Sequence, residues 1–156
     1  MMPHTLLVPF DGSPLSKRAL EYAFDEYDDG NVVVLHAIDP NDPGYSSAVD
    51  VDVRTEPLHG SEDWYDRAHE VEAQLFDEAR ELVADADADG EFTTESAVGD
   101  PAREIVDYAD AHDIDEIVIG SHGRSETSRT LLGSVAELVV RRSPVSVSVV
   151  RGSETR

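Results

Sequence analysis

Apolar residues in this chain come in short runs that alternate with stretches of helical spacing, and no two runs meet across a hairpin turn. Leu6-Leu7-Val8, Val32-Val33-Val34-Leu35-His36-Ala37-Ile38 and residues 92–98, 114–119 and 145–150 read as strands. Between them, apolar positions recur every three or four residues: Leu15, Ala19, Ala23 and Tyr27, then Trp64, Ala68, Val71, Leu75, Ala79 and Leu82. Residues 101–109 and 134–141 supply two more helices. Strict alternation of five strands with four main helices points to a parallel sheet wound by right-handed crossovers, because only that layout covers both faces of each strand. The expected fold is therefore α/β, one doubly wound, Rossmann-like domain spanning residues 1–156. A length of 156 residues with 40% apolar composition supports one core and little of a second.

Local chemistry sharpens the outline. Ser13 is placed to cap the first helix and Pro14 to occupy its first position, while Asp28-Asp29-Gly30 ends it. Leu6-Leu7-Val8 and Ile117-Val118-Ile119 are the most apolar segments and are expected at the sheet centre, whereas residues 92–97 are largely polar and suit an edge. Val145-Ser146-Val147-Ser148-Val149 alternates, as a strand with one open face or an open edge does. Residues 39–60 carry three prolines, two glycines and several aspartates. They form a long acidic connection, either a flap or a dimer-contact loop, and residues 151–156 a tail.

Composition excludes several classes. Without cysteine there is no disulfide framework, thiol nucleophile or cysteine-based metal site. No window approaches the roughly 18 uninterrupted apolar residues a membrane helix needs. Met1-Met2-Pro3-His4 lacks the basic and apolar regions of a signal peptide. No membrane association is expected, and cytoplasm is the default location. Against 34 acidic residues stand 12 basic ones, for a net charge of −22, which repels polyanions such as nucleic acids at low salt. Lys17 is the single lysine. Asp-rich, Lys-poor composition resembles proteins from organisms with molar cytoplasmic salt, so the charge reads as habitat; an ordinary acidic protein is the alternative.

The most chemical segment is Gly120-Ser121-His122-Gly123, followed after nine residues by Gly133-Ser134. It leaves a strand and enters a helix. Glycines let the backbone approach an anion, and the helix start adds N–H donors and the positive end of its dipole. No lysine follows Gly133, so this is not a Gly-x4-Gly-Lys-Ser/Thr loop, nor does it follow the first strand as a Gly-x-Gly-x-x-Gly fingerprint does. Ser134 serves either a ligand or, through Ser134-x-x-Glu137, a capping box for the helix's own amides.

These segments together resemble the universal stress protein family in its nucleotide-binding subtype. That subtype is marked by Gly-x2-Gly-x9-Gly-Ser/Thr, matched here by Gly120, Gly123, Gly133 and Ser134. Leu7-Val8-Pro9-Phe10-Asp11-Gly12-Ser13 is similar to the family's first strand and Asp-bearing loop, Leu35-His36-Ala37-Ile38 to its second strand and Gly99-Asp100-Pro101-Ala102 to its third loop. Leu131-Leu132-Gly133-Ser134-Val135-Ala136-Glu137 and Ser143-Pro144-Val145 complete the likeness.

The resemblance implies strand order 3-2-1-4-5 in an adenine nucleotide alpha hydrolase-like fold, with an adenine nucleotide as ligand. Pro9, Phe10 and Asp11 would meet adenine and ribose, Ala37 would touch the base through its backbone, and Ile119 and Gly120 would close the other side. Gly123, Arg124, Gly133, Ser134 and Val135 would hold the phosphates. His122 either donates to a phosphate or is an ordinary loop histidine. ATP with Mg²⁺ or Mn²⁺ is the implied cofactor, the cation offsetting the acidic field and entering through the phosphates rather than a side-chain site. The resemblance further implies a stress-response sensor or regulatory module. A homodimer through residues 145–150 is expected. Two departures are Glu126, near the expected phosphates, and the Asp-rich 39–60 connection.

Competing chemistries find less support. No Gly-x-Ser-x-Gly surrounds Ser13, Ser121 or Ser134, so no catalytic residue is assigned and ATP hydrolysis is expected to be slow at most. Asp11 lacks the carboxylate and lysine partners of a phospho-acceptor. Asp85-Ala86-Asp87-Ala88-Asp89-Gly90 opens like a calcium loop but has Ser96 where the bidentate glutamate belongs, and the six histidines include no helical ligand pair. The alternatives to a nucleotide-binding regulator are a nucleotide-free dimeric interaction module and a slow ATPase or autophosphorylating enzyme.

Overall fold

The same device starts two of the helices: a polar residue followed by proline. Ser13 precedes α1 (Pro14–Glu26) and its hydroxyl accepts from the Ser16 amide at 3.2 Å; Asp100 precedes α3 (Pro101–Ala111) and its carboxylate accepts from the Arg103 amide at 3.1 Å. Each side chain satisfies an amide that the helix cannot, and the proline φ is already helical. The computed structural model describes residues 4–27, 30–39, 62–86, 91–121 and 133–151. Within them lie also β1 (Thr5–Pro9), β2 (Asn31–Ile38), α2 (Glu62–Ala86), β3 (Phe92–Val98), β4 (Glu116–Gly120), α4 (Ser134–Arg142) and β5 (Ser146–Val150). Residues 40–60 of the acidic connection and 152–156 of the tail fall outside the described residues.

The five strands form one sheet in the order β3-β2-β1-β4-β5, every neighbouring pair parallel. This is the expected α/β doubly wound architecture. Leu7 lies opposite Val33 on one side and Ile117 on the other. Alternation along the strands divides the core. Leu6, Val8, Val34, Ile38 and Val118 pack beneath α1 and α2 with Ala19, Leu20, Ala23, Ala68, Val71 and Leu75. Leu7, Leu35, Ile117 and Ile119 pack beneath α3 and α4 with Ile105, Ala109, Ala136 and Val139. The helical stripe expected from residue 64 onward is thus the buried face of α2 at Ala68, Val71, Leu75 and Ala79.

β3 and β5 are the two edges, as their polar and alternating sequences suggest. Each presents a serine to a buried carboxylate. Ser96 donates to Glu72 of α2 at 2.8 Å, and Ser148 donates to Glu116 of β4. Glu116 also accepts from the Tyr27 hydroxyl at 2.9 Å.

Four boundaries or roles differ from expectation. β4 begins at Glu116, not 114, because the Ile114 amide donates to His112 in a turn while its side chain enters the core. β5 begins at Ser146, because the Ser143 hydroxyl binds both peptide groups of Val145. Tyr27 ends the α1 stripe half-buried against the core, and it has a second role as the C-cap, stacked on His4 with centroids 4.8 Å apart. The capping box at Ser134 is not formed. Gly133 is the N-cap of α4, with no side-chain capping bond, and Ser134 occupies the first helical position. The box fails because it needs its serine outside the helix, in extended geometry, and here Gly133 has that geometry (φ −69°, ψ 162°).

Candidate functional site

The chain winds outward from β1 to β2 and β3, then returns to the other side of β1 with β4 and β5. Between β1 and β4 the winding reverses. Their helices leave on opposite faces, so the carboxyl ends of these strands open a crevice, the usual ligand position in such sheets. The β1–β4 register, carried forward, sets Pro9 level with Ile119, and the β1–β2 register sets Asp11 level with Ala37.

On the β1 side the tip is tightly built. Pairing runs one residue past the strand: the Phe10 amide donates to the Leu35 carbonyl at 2.9 Å. Phe10 itself is buried under α1 and α2. Asp11 then folds back, its Oδ1 accepting from the Ser13 amide at 2.9 Å, with Gly12 between them at φ +79°. This Asx turn takes Gly12 into the left-handed conformation, which glycine adopts without penalty. Ser13 caps the helix, and Asp11 binds the amide of that capping residue.

On the β4 side, Gly120 permits contact between strand and helix. A Cβ there would lie 2.9 Å from the carbonyl carbon of Leu15. Ser121 is buried, its amide donating to Val150 at 2.8 Å, and its carbonyl accepts from the Gly133 amide at 2.6 Å. This last bond draws together the two ends of the glycine-bearing segment, so Gly120 and Gly133 come close although twelve residues separate them.

Ile119 is buried in the core under α3 and α4 and Val135 packs against it, so their contribution at the crevice is backbone. His122, Gly123 and Arg124 lie outside the described residues. Pro9, Phe10, Asp11, Ala37, Ile119, Gly120, Gly133, Ser134 and Val135 all sit at or next to the tips of β1, β2 and β4 or at the start of α4. Among the described residues no three metal-ligating side chains converge, and no helix is long and apolar enough to cross a membrane.

One residue at the site escaped the reading of the sequence. His36 is buried within β2, and its Nδ1 lies 2.9 Å from the Phe10 carbonyl. The available signal was a lone polar residue inside an otherwise apolar strand.

An open, doubly wound α/β sheet with a glycine-flanked crevice at its switch point defines the Rossmann-like class of domains. Within it, this chain belongs to the universal stress protein family, whose family model matches residues 2–151. The stress response protein NhaX of Bacillus subtilis is 32% identical over 170 aligned residues, covering 94% of this chain and 96% of that protein. The structure of universal stress protein UspA from Lactobacillus plantarum superposes with TM-score 0.73 at 25% identity, covering 97% of this chain and 99% of that one. A universal stress protein crystallised in complex with cAMP superposes with TM-score 0.63 at 26% identity, covering 98% of this chain and all of the other.

Proposed function

We propose that this protein is an adenine-nucleotide-binding regulator of the stress response, taking ATP with Mg²⁺ or Mn²⁺ in the crevice between β1 and β4. The observation that carries the reading is the Ser121–Gly133 backbone bond, which ties the start of α4 to the end of β4, the strand paired with β1 that leads into the Asp11 turn. A nucleotide suits these groups. Gly133 adds no bulk where a phosphate would approach, α4 points its amino end at the crevice, and Asp11 offers a carboxylate of the kind that binds ribose hydroxyls. The cAMP complex of a relative supports an adenine nucleotide as the ligand class.

Pro9, Phe10 and Asp11 would face adenine and ribose, with the backbone of Ala37, Ile119 and Gly120 closing the base site. Gly133, Ser134 and Val135, joined by His122, Gly123 and Arg124 from the adjoining loop, would take the phosphates. The divalent cation supplies charge neutralisation when bound, offsetting the repulsion between a triphosphate and a protein of net charge −22. The protein acts as a binder in the cytoplasm, with slow hydrolysis at most, and pairs as a homodimer along the β5 edge.

Titrating Mg·ATP at high salt is expected to raise the melting temperature by the linkage of binding to folding, with cAMP and AMP run in parallel to rank nucleotides. No shift with any adenine nucleotide would favour the nucleotide-free interaction module. Light scattering tests the dimer, and a monomer at every concentration would count against it.

A further inference from the structure

We infer that His36 is a positioning residue for the candidate nucleotide site, holding the Phe10–Asp11 turn in the form that presents the Asp11 carboxylate to a ribose. The claim rests on the nucleotide reading above and extends it to a residue no ligand would touch. His36 stands in β2 between Val34 and Ile38, on the face covered by α1 and α2, and is 2% exposed. Phe76 of α2 meets its ring edge-on at 6.5 Å. Its Nδ1 lies 2.9 Å from the Phe10 carbonyl oxygen. A carbonyl only accepts, so the bond requires the proton on Nδ1.

Phe10 is therefore tied to β2 through both of its peptide groups, the amide by Leu35 and the carbonyl by His36. The peptide so clamped is the one that leads into Asp11, whose Oδ1 binds the Ser13 amide two residues on. Rotation of the Phe10–Asp11 peptide would turn both the carboxylate and the Asx turn away from the crevice. An apolar strand in the centre of a sheet gains nothing in burial from an imidazole. What the ring supplies at this point is a rigid donor, packed against Phe76, at the one carbonyl where β1 becomes loop.

The experiment compares His36→Leu, His36→Asn, Asp11→Asn and the double variant His36→Leu/Asp11→Asn. Mg·ATP affinity is measured by calorimetry at high salt, and exchange of the Ser13 amide is followed by NMR without ligand. Asparagine places an amide N–H near the position of Nδ1, whereas leucine leaves the buried carbonyl unpaired. His36→Leu is expected to weaken binding about tenfold, the usual consequence of stranding one buried acceptor, and to speed Ser13 exchange. His36→Asn is expected to restore both. If His36 acts through Asp11, the double variant binds no more weakly than the worse single one. Multiplying effects, affinity in His36→Leu equal to that of the unmodified protein, or unchanged Ser13 exchange would each overturn the positioning role. Failure of the unmodified protein to bind any nucleotide would instead overturn the nucleotide reading, and the ligand-free exchange of Ser13 would then decide the role of His36 alone.

Discussion

The Gly133 amide donates to the Ser121 carbonyl at 2.6 Å, and through that bond the start of the last helix is anchored to the end of the fourth strand. Gly133 is also the N-cap of α4 in an extended conformation that any residue adopts. Gly133→Val should therefore fold, at a cost of about 1 kcal/mol for a β-branched residue at an N-cap, while its added methyls block the approach of a phosphate. The expected outcome is a small fall in the urea midpoint and a flat Mg·ATP isotherm. Affinity equal to that of the unmodified protein would remove Gly133 from the site.

Gly120 makes a different prediction, concerned with packing. A Cβ at this position would sit 2.9 Å from both the carbonyl carbon and the Cβ of Leu15, close enough that β4 and α1 must separate. Gly120→Ala is expected to cost about 1–3 kcal/mol, the usual range for overpacking, read as a lower denaturant midpoint in the absence of ligand. Since most of the clash is with backbone, side-chain adjustment at Leu15 relieves little of it.

Tyr27 ties folding to alkaline pH. Its hydroxyl donates to Glu116, and that hydrogen bond, with the nearby carboxylate charge, raises the tyrosine above its ordinary value of 10.0. The folded form then holds the phenolic proton more tightly than the unfolded chain does. By linkage, the contribution is fully present below the unfolded value and is lost as pH rises through the folded one. The urea midpoint should fall with pH above about 10, and Tyr27→Phe should flatten that part of the profile. An identical profile in the variant would show that another group carries it.

Salt should stabilise the protein. A net charge of −22 on 156 residues repels itself over a Debye length of about 10 Å at 0.1 M salt, which shortens to about 3 Å at 1 M. The melting temperature is expected to climb steeply with KCl over this range and to respond far less to a neutral osmolyte of equal osmolarity. A flat KCl response would argue against charge as the dominant strain on the fold.

Much of the framework was legible in the residues, because it rests on patterns that one strand or helix carries by itself. The run from Val32 to Ile38 is apolar on both faces and lies inside the sheet; the polar Thr93 and Glu95 mark an edge; Ser13-Pro14 and Asp100-Pro101 start helices wherever they stand. The candidate site was legible as a glycine spacing and a likeness to a family, and those nominated Asp11, Gly120 and Gly133 before any geometry was known.

Tertiary structure decided what depends on residues distant in the chain. Ser134 looked equally suited to capping α4 and to binding a ligand, and only the extended Gly133, whose carbonyl accepts the first helical bond from the Glu137 amide, shows that glycine takes the cap position. Tyr27 fell on the helical stripe, yet its ring and hydroxyl are claimed by His4 and by Glu116, 89 residues away. His36 passed for one more strand residue until the sheet set its ring beside the Phe10 carbonyl. Periodicity reports which face of an element is apolar; it carries no information on which polar group from another element will arrive there, and hydrogen bonds are settled at that meeting.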